Sequence, residues 1–175
     1  MPNLSDAFFL DCGKTYSGSP ITAFTGLEHL EGATVKVMAD GKVHPDCVVS
    51  DGAIILNYAA SVVHVGLGYQ SKMKTLPIVA GIQDGSTAGR LALVPEAILL
   101  VNESVGCKIG PDEDNLDEVL FVDGETFADC ETLFSGAVDI NIESGHDRQP
   151  RVVIVHDEAT PLTISAINFN FEPTQ

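Results

Sequence analysis

Tryptophan is absent from this 175-residue sequence, and aromatic residues make up only 6% of it. That leaves few flat platforms for stacking sugar rings, which weighs against a glycosidase or a lectin. Basic residues are almost as scarce. Nine Lys and Arg stand against 25 Asp and Glu, a formal net charge of −16. Binding a phosphate backbone relies on clusters of Lys and Arg, so this balance excludes sequence-specific nucleic-acid binding. Lys72 and Lys74 come closest to such a cluster. Only four cysteines occur, Cys12, Cys47, Cys107 and Cys130, and no two form a CxxC pair. Zinc sites and disulfide-dense secreted scaffolds use closer spacings, so buried free thiols are expected. No run approaches the roughly 20 apolar residues of a membrane-crossing helix, and no membrane insertion is expected. The opening MPNLSDAFFLDCG carries acids where a secretion signal needs positive charge. Synthesis in the cytosol follows as the expectation. Gly-x-Ser-x-Gly elbows, HExxH helices and P-loops are also missing.

What is present is β-strand pattern. Val35, Val37 and Ala39 alternate with Lys36 and Met38, the period-2 signature of a half-buried strand. Asp40-Gly41 supplies the positive φ of a tight hairpin, and Asp51-Gly52 repeats the device. Strands follow at Ile54 to Leu56 and at Ser61 to Val65, stopped by Gly66. Residues 1 to 25 read as an irregular leader with one short strand, Ala7 to Leu10, before the turn-rich Cys12 to Pro20. Tyr69 to Thr75 reads as a polar connection, and Gly81 to Gly89 as a loop. Leu91 to Val101 would suit a buried helix but for Pro95, so Ala97 to Asn102 is read as a buried strand. A further hairpin is predicted with Val119 to Val122 and Glu125 to Phe127 flanking Asp123-Gly124. Ala137 to Ile142 alternates with an apolar face at Val138, Ile140 and Ile142. Arg151 to His156 is expected to pair with Leu162 to Phe171 across Asp157 to Pro161. Ile167, Phe169 and Phe171 share one face of that last strand.

The predicted class is therefore all-β: an antiparallel meander forming a small barrel, then a second, sandwich-like β unit. Residues 1–80 hold the leader and barrel, and residues 81–175 the second unit, with one continuous domain as the alternative arrangement. Length alone permits a sizeable core.

Chemistry-bearing residues are dispersed. The acidic loop Gly110 to Glu118 is the one metal candidate, with Asp112, Asp114 and Asp117 as possible oxygen ligands for a hard cation. It lacks the glycine and the distant glutamate of an EF-hand, and the simpler reading is a solvated turn. Residues 103–147 hold 13 acids against Lys108 alone, so this part reads as a strongly negative face. His29, His44, His64, His146 and His156 lie on separate segments. His64 points opposite to Val63 and Val65 and suits a hydrogen bond at the sheet surface. His156-Asp157-Glu158 falls at a predicted hairpin turn, where polar residues belong without catalysis. No catalytic residue and no cofactor is assigned, and the chain is not expected to be an enzyme.

Several blocks carry a family resemblance. Leu10 to Gly18, the GLEHLEG run from Gly26 to Gly32, Ala39-Asp40-Gly41 and Ala60 to Leu67 occur in order. Gly110 to Glu118, Pro150 to Ile154 and Pro161 to Ile164 follow. Together they resemble a domain of tail proteins from short-tailed bacteriophages and prophages, of the tubular, nozzle or stabilisation type. That domain is described as similar to the small barrel beside the adenylation site of ubiquitin-activating enzymes. No nucleotide-binding glycine loop or reactive cysteine can be placed here, so the likeness implies no ubiquitin chemistry. It implies a structural virion protein, made in the host cytoplasm and built into the tail. Its partners would be copies of itself in a ring and other tail proteins. A negative wall would keep passing DNA from sticking, although the same charge also serves plain solubility. A receptor- or glycan-binding module at the tail tip is the alternative.

Overall fold

Fifteen residues that read as leader and turn form a single strand, β1 (Asp11–Thr25). The short strand expected at Ala7–Leu10 is not formed, and those residues are irregular. The computed structural model describes residues 4–79, 81–82, 85–86, 88–121 and 133–173. In it, the turn formers of β1 sit in interruptions of the ladder. The register shifts between Asp11 and Lys14, between Ser17 and Ile21, and again before Ala23. Gly13, Gly18 and Pro20 fall inside the first two irregularities, where a bulge needs no regular hydrogen bond.

Three more strands complete this sheet: β2 (Thr34–Ala39), β3 (Lys42–Val48) and β4 (Ala53–Leu67). The two predicted hairpin turns are present. Asp40 and Gly41 take φ of 51° and 77°, and Asp51 and Gly52 take 53° and 66°. Positive φ at both central residues matches the twist of the flanking strands. The strand order, however, is β1-β4-β2-β3. A meander would place β4 beside β3, whereas β4 runs between β1 and β2 and fuses the two strands predicted at Ile54–Leu56 and Ser61–Val65. Burial explains the choice. Val63 and Val65 of β4 and Val35 and Val37 of β2 join one wholly buried cluster with Leu27. Among the described residues no ladder joins β1 to β3, so the sheet keeps two open edges and is not closed by hydrogen bonds into a barrel. The opposite side of β2 is covered too: Met38 packs with Leu10 and Ala159.

The remaining strands are β5 (Ser71–Lys74), β6 (Gly81–Ile82), β7 (Gly85–Ser86), β8 (Ala92–Ser104), β9 (Gly106–Gly110), β10 (Asp117–Leu120), β11 (Phe134–Asn141), β12 (Val153–His156) and β13 (Ile164–Pro173). They form sheets ordered β10-β9-β12-β5 and β11-β8-β13, with β6 and β7 as a separate pair. Leu99 and Val101 of β8, Ile109 of β9, Ile140 of β11 and Ile154 of β12 share one core. Two sheets burying their inner faces against each other make the sandwich-like unit that the sequence predicts. Pro95 lies inside β8, next to a register shift against β13, a position compatible with its missing N–H.

Strand makes up 61% and helix 4% of the described residues, so the fold is all-β. Two further pairings differ from expectation. The segment predicted as a polar connection at Tyr69–Thr75 contains β5, which pairs with β12 at a sheet edge. The last two strands are not partners: β12 pairs with β9 and β5, while β13 pairs with β8. Their faces settle this, because Ile154 and Ile167 both reach the same core from different sheets. The hairpin predicted around Asp123-Gly124 lies outside the described residues.

Contacts divide the chain into two compact units. One holds the chain up to Gln70 together with Asp157–Pro161, and the other begins at Ser71. The division expected from sequence lies between residues 80 and 81.

The β1–β4 ladder requires one unusually close approach. A Cβ added at Gly66 would stand 2.8 Å from the Asp11 carbonyl oxygen and 2.9 Å from the Gly13 Cα. Gly66→Ala should cost about 1–3 kcal/mol, the usual range for overpacking. Urea unfolding checks it: a midpoint equal to wild type would refute the close approach.

Candidate functional site

The GLEHLEG run is a clasp. Glu28–Leu30 form a single 3₁₀ turn, and Leu27 and Leu30 anchor it in the first core. The Leu27 N–H donates to the Gly52 carbonyl at 2.8 Å. The Glu31 carboxylate accepts the N–H groups of Asp51 at 2.9 Å and Gly52 at 2.7 Å. This motif therefore holds the second hairpin turn.

The corner at His64-Val65-Gly66-Leu67 is similar. His64 is 5% exposed. Its Nε2–H donates to the Ser5 carbonyl at 2.9 Å, which leaves Nδ1 to accept the Thr15 hydroxyl at 2.7 Å. Phe8 meets the ring edge-on at 5.6 Å between centroids. The sequence placed a hydrogen-bonding His64 at the sheet surface; it is instead buried beneath the N-terminal segment. Both motifs carry fold.

His44 is buried beside Cys47, the one arrangement that resembles a nucleophile with its base. The geometry rules this out. Nε2 accepts the Asn57 N–H at 2.9 Å, so Nδ1 carries the proton and donates it to the Pro45 carbonyl at 2.8 Å. Cys47 Sγ sits 3.8 Å from that same Nδ1. Burial, with Asp46 adding to it, pushes the Cys47 thiol up, opposite to what a reactive thiolate needs. Burial also drives Cys107 up to about 12. Cys12 departs from the expected buried state. It is exposed, because it occupies the first irregularity of β1 with φ of 49°. Its carbonyl accepts the His29 Nε2–H at 2.8 Å. Cys130 lies outside the described residues.

His156-Asp157-Glu158 does not lie at a hairpin turn. His156 ends β12, and Glu158 belongs to the segment that joins the first unit. There Lys36 Nζ stands 3.2 Å from Glu158 and 3.2 Å from Asp46. Burial would lower the Lys36 ammonium, but its hydrogen bonds to the two carboxylates outweigh that and hold it above its ordinary value.

The acidic loop is organised around Asp112. Its Oδ1 accepts the N–H groups of Asp114 at 2.9 Å and Asn115 at 3.0 Å, and the Asn115 side-chain amide adds bonds of 2.9 Å to both carboxylate oxygens. These donors, the Asn115 side chain foremost, hold the Asp112 carboxyl below its ordinary value. Glu113 is lowered chiefly by Lys72, 2.5 Å away. Asp117 begins β10. Among the described residues no three acids, histidines or cysteines gather as a metal site. Asp112, Asp114 and Asp117 are thus distributed between a self-capped loop and a strand.

One arrangement was not legible in the sequence. In the second unit, Lys74, Arg148 and Arg151 line a cavity of about 490 Å³ with Asp112, Asp147 and Gln149. The β5–β12 register, which sets Lys74 opposite Val153, brings them together. In the first unit, a cavity of about 410 Å³ follows β1, lined by Lys14, Tyr16, Ile21 and Phe24.

No protein-family model matches this chain, and no curated protein matches it.

Two measurements check this geometry. A disulfide reagent should label Cys12 in the native protein and reach Cys107 only after unfolding, with mass spectrometry locating the adducts; native labelling of Cys107 contradicts its burial. The Asp112 carboxyl should titrate below its ordinary 3.8 by NMR. Because its folded value is depressed, its stabilising contribution is present above the unfolded value and lost as pH falls through the folded one. Asn115→Ala should return the midpoint toward the ordinary range.

Proposed function

We propose that this protein is a structural component of a phage or prophage tail, of the tubular or nozzle type. It works by assembling with copies of itself and with neighbouring tail proteins, in the virion, after synthesis in the host cytoplasm. The reading rests first on the ordered blocks that resemble such tail domains. Those blocks fall on elements that build fold: the GLEHLEG clasp, the His64 corner and the Asp40-Gly41 turn.

One structural observation carries the assembly part. β1 is a fifteen-residue strand whose outer edge pairs with no other strand among the described residues. β3, at the opposite edge, ends at Val48, which is 62% exposed. Unpaired edges are templates for strand addition by another chain. An edge on one copy that meets a different surface of the next gives a heterologous contact, and such contacts form a ring when the rotation between copies closes. A net charge of −16 suits a wall past which DNA moves without adhering.

A receptor- or glycan-binding module draws less support. Phe8 and Tyr58 are partly exposed, but each ring is packed on a histidine, His64 and His44 respectively.

Mass spectrometry of particles purified from the host that encodes this chain should find its peptides in the tail fraction. Electron microscopy of those particles, labelled with antibody against the chain, should mark the tail. Absence from purified particles would overturn the proposal.

A further inference from the structure

We infer that the cavity between β5 and the segment preceding β12 is a binding site for a compact oxyanion. The chemical class is a phosphate or a carboxylate group.

Three of the nine basic residues of the whole chain line this one cavity: Lys74, Arg148 and Arg151. Lys74 acts at longer range on Asp112 and Glu113, but none of the three is held in a close ion pair. Among the described residues, the ion pairs are Lys36 with Asp46 and Glu158, and Lys72 with Glu113; none includes these three. Arg148 makes a single 3.4 Å bond to the Gly89 carbonyl, and Arg151 a single 3.4 Å bond to Gln149. Guanidinium groups carry five donors each, so most remain available.

The two acids of the cavity accept hydrogen bonds from neutral amides. Asp112 is directed at its own loop amides and Asn115. Asp147 Oδ1 accepts the Gln149 N–H at 3.2 Å. Both cap backbone and keep their charge, so the lining sets three cations against two carboxylates. Arg forks match the paired oxygens of phosphate and carboxylate, and Lys adds a point charge.

This site is compatible with a chain that repels DNA. At physiological salt, charges beyond about 8 Å are largely screened. A small ion in the cavity meets three cations against two carboxylates, whereas a long polyanion meets the acidic surface as a whole. Two sources supply the same chemistry: free phosphate, or side-chain carboxylates of a second copy, which this acidic chain carries in excess. The inference does not depend on tail assembly.

The test is a titration of the full chain with inorganic phosphate at low salt, followed by NMR of backbone amides and arginine side chains. Saturable shifts confined to Lys74, Arg148, Arg151 and their neighbours are expected, with half-saturation at millimolar phosphate. The double substitution Arg148→Gln and Arg151→Gln should weaken binding at least tenfold, with unchanged amide positions away from the cavity. Should that variant fail to fold, the wild-type shift map decides by itself. Sedimentation with and without phosphate separates the sources. Phosphate that dissociates an oligomer identifies carboxylates of a second copy, and unchanged sedimentation with retained phosphate binding identifies the free ion. Shifts that never saturate, that scatter over the surface, or that persist in a folded variant would overturn the site.

Discussion

β4 serves two neighbours at once: β1 runs along one side for almost its whole length, and β2 along the other from Lys36 to Ala39. Most of the first unit depends on this strand. It can accept β1 closely only because Gly13 and Gly66 meet with no side chains between them. The same ladder places Thr15 opposite His64, so the imidazole can bond across the strands. It also turns Val63 and Val65 into the core shared with β2. Burying a Val fully is worth about 1.5–3 kcal/mol, and such residues together outweigh the irregularities that β1 must tolerate.

The parts of this fold legible in the sequence are those decided within a few residues. Asp40-Gly41 and Asp51-Gly52 announce their turns because few other residue pairs adopt two successive positive φ values easily. Alternation identified the buried face of β11, and length with Pro95 identified β8 as strand. What failed is non-local. β1 was hidden because Gly13, Gly18 and Pro20 signal turns locally, while a bulged ladder with β4 overrides them. The place of β4 beside β2, and the separation of β12 from β13 into different sheets, depend on partners chosen by core burial. The candidate site divides in the same way. The acidic loop was visible as a loop, but nothing in its composition reveals that Asp112 is turned onto its own amides. The basic cavity was invisible, because Lys74 and Arg151 are far apart in sequence and meet only through the β5–β12 register.

The distribution of charge follows from these placements. Carboxylates that do structural work are bound to backbone amides: Glu31 at the second hairpin turn, Asp40 at the Ser61 and Val62 N–H groups, Asp112 in its loop. Negative side chains thus replace hydrogen bonds that strand pairing leaves unmade at turns. A large acid excess is accordingly more than a solubilising coat, since part of it fastens the chain to itself. Lys36, held between Asp46 and Glu158, is a cation used for the same purpose.

Glu158 and its neighbours carry a consequence for dissection of the molecule. The polypeptide leaves β12, contributes Asp157–Pro161 to the first unit, and goes back to supply β13. Ala159, 2% exposed, is the lid over Met38 and Leu10. A fragment cut after Gln70 would lose that lid and one of the two carboxylates on Lys36, baring an apolar patch beside an ammonium left with Asp46 alone. Neither half of this chain is a self-sufficient piece of contiguous sequence, and excising one would manufacture a sticky surface that the intact protein never shows.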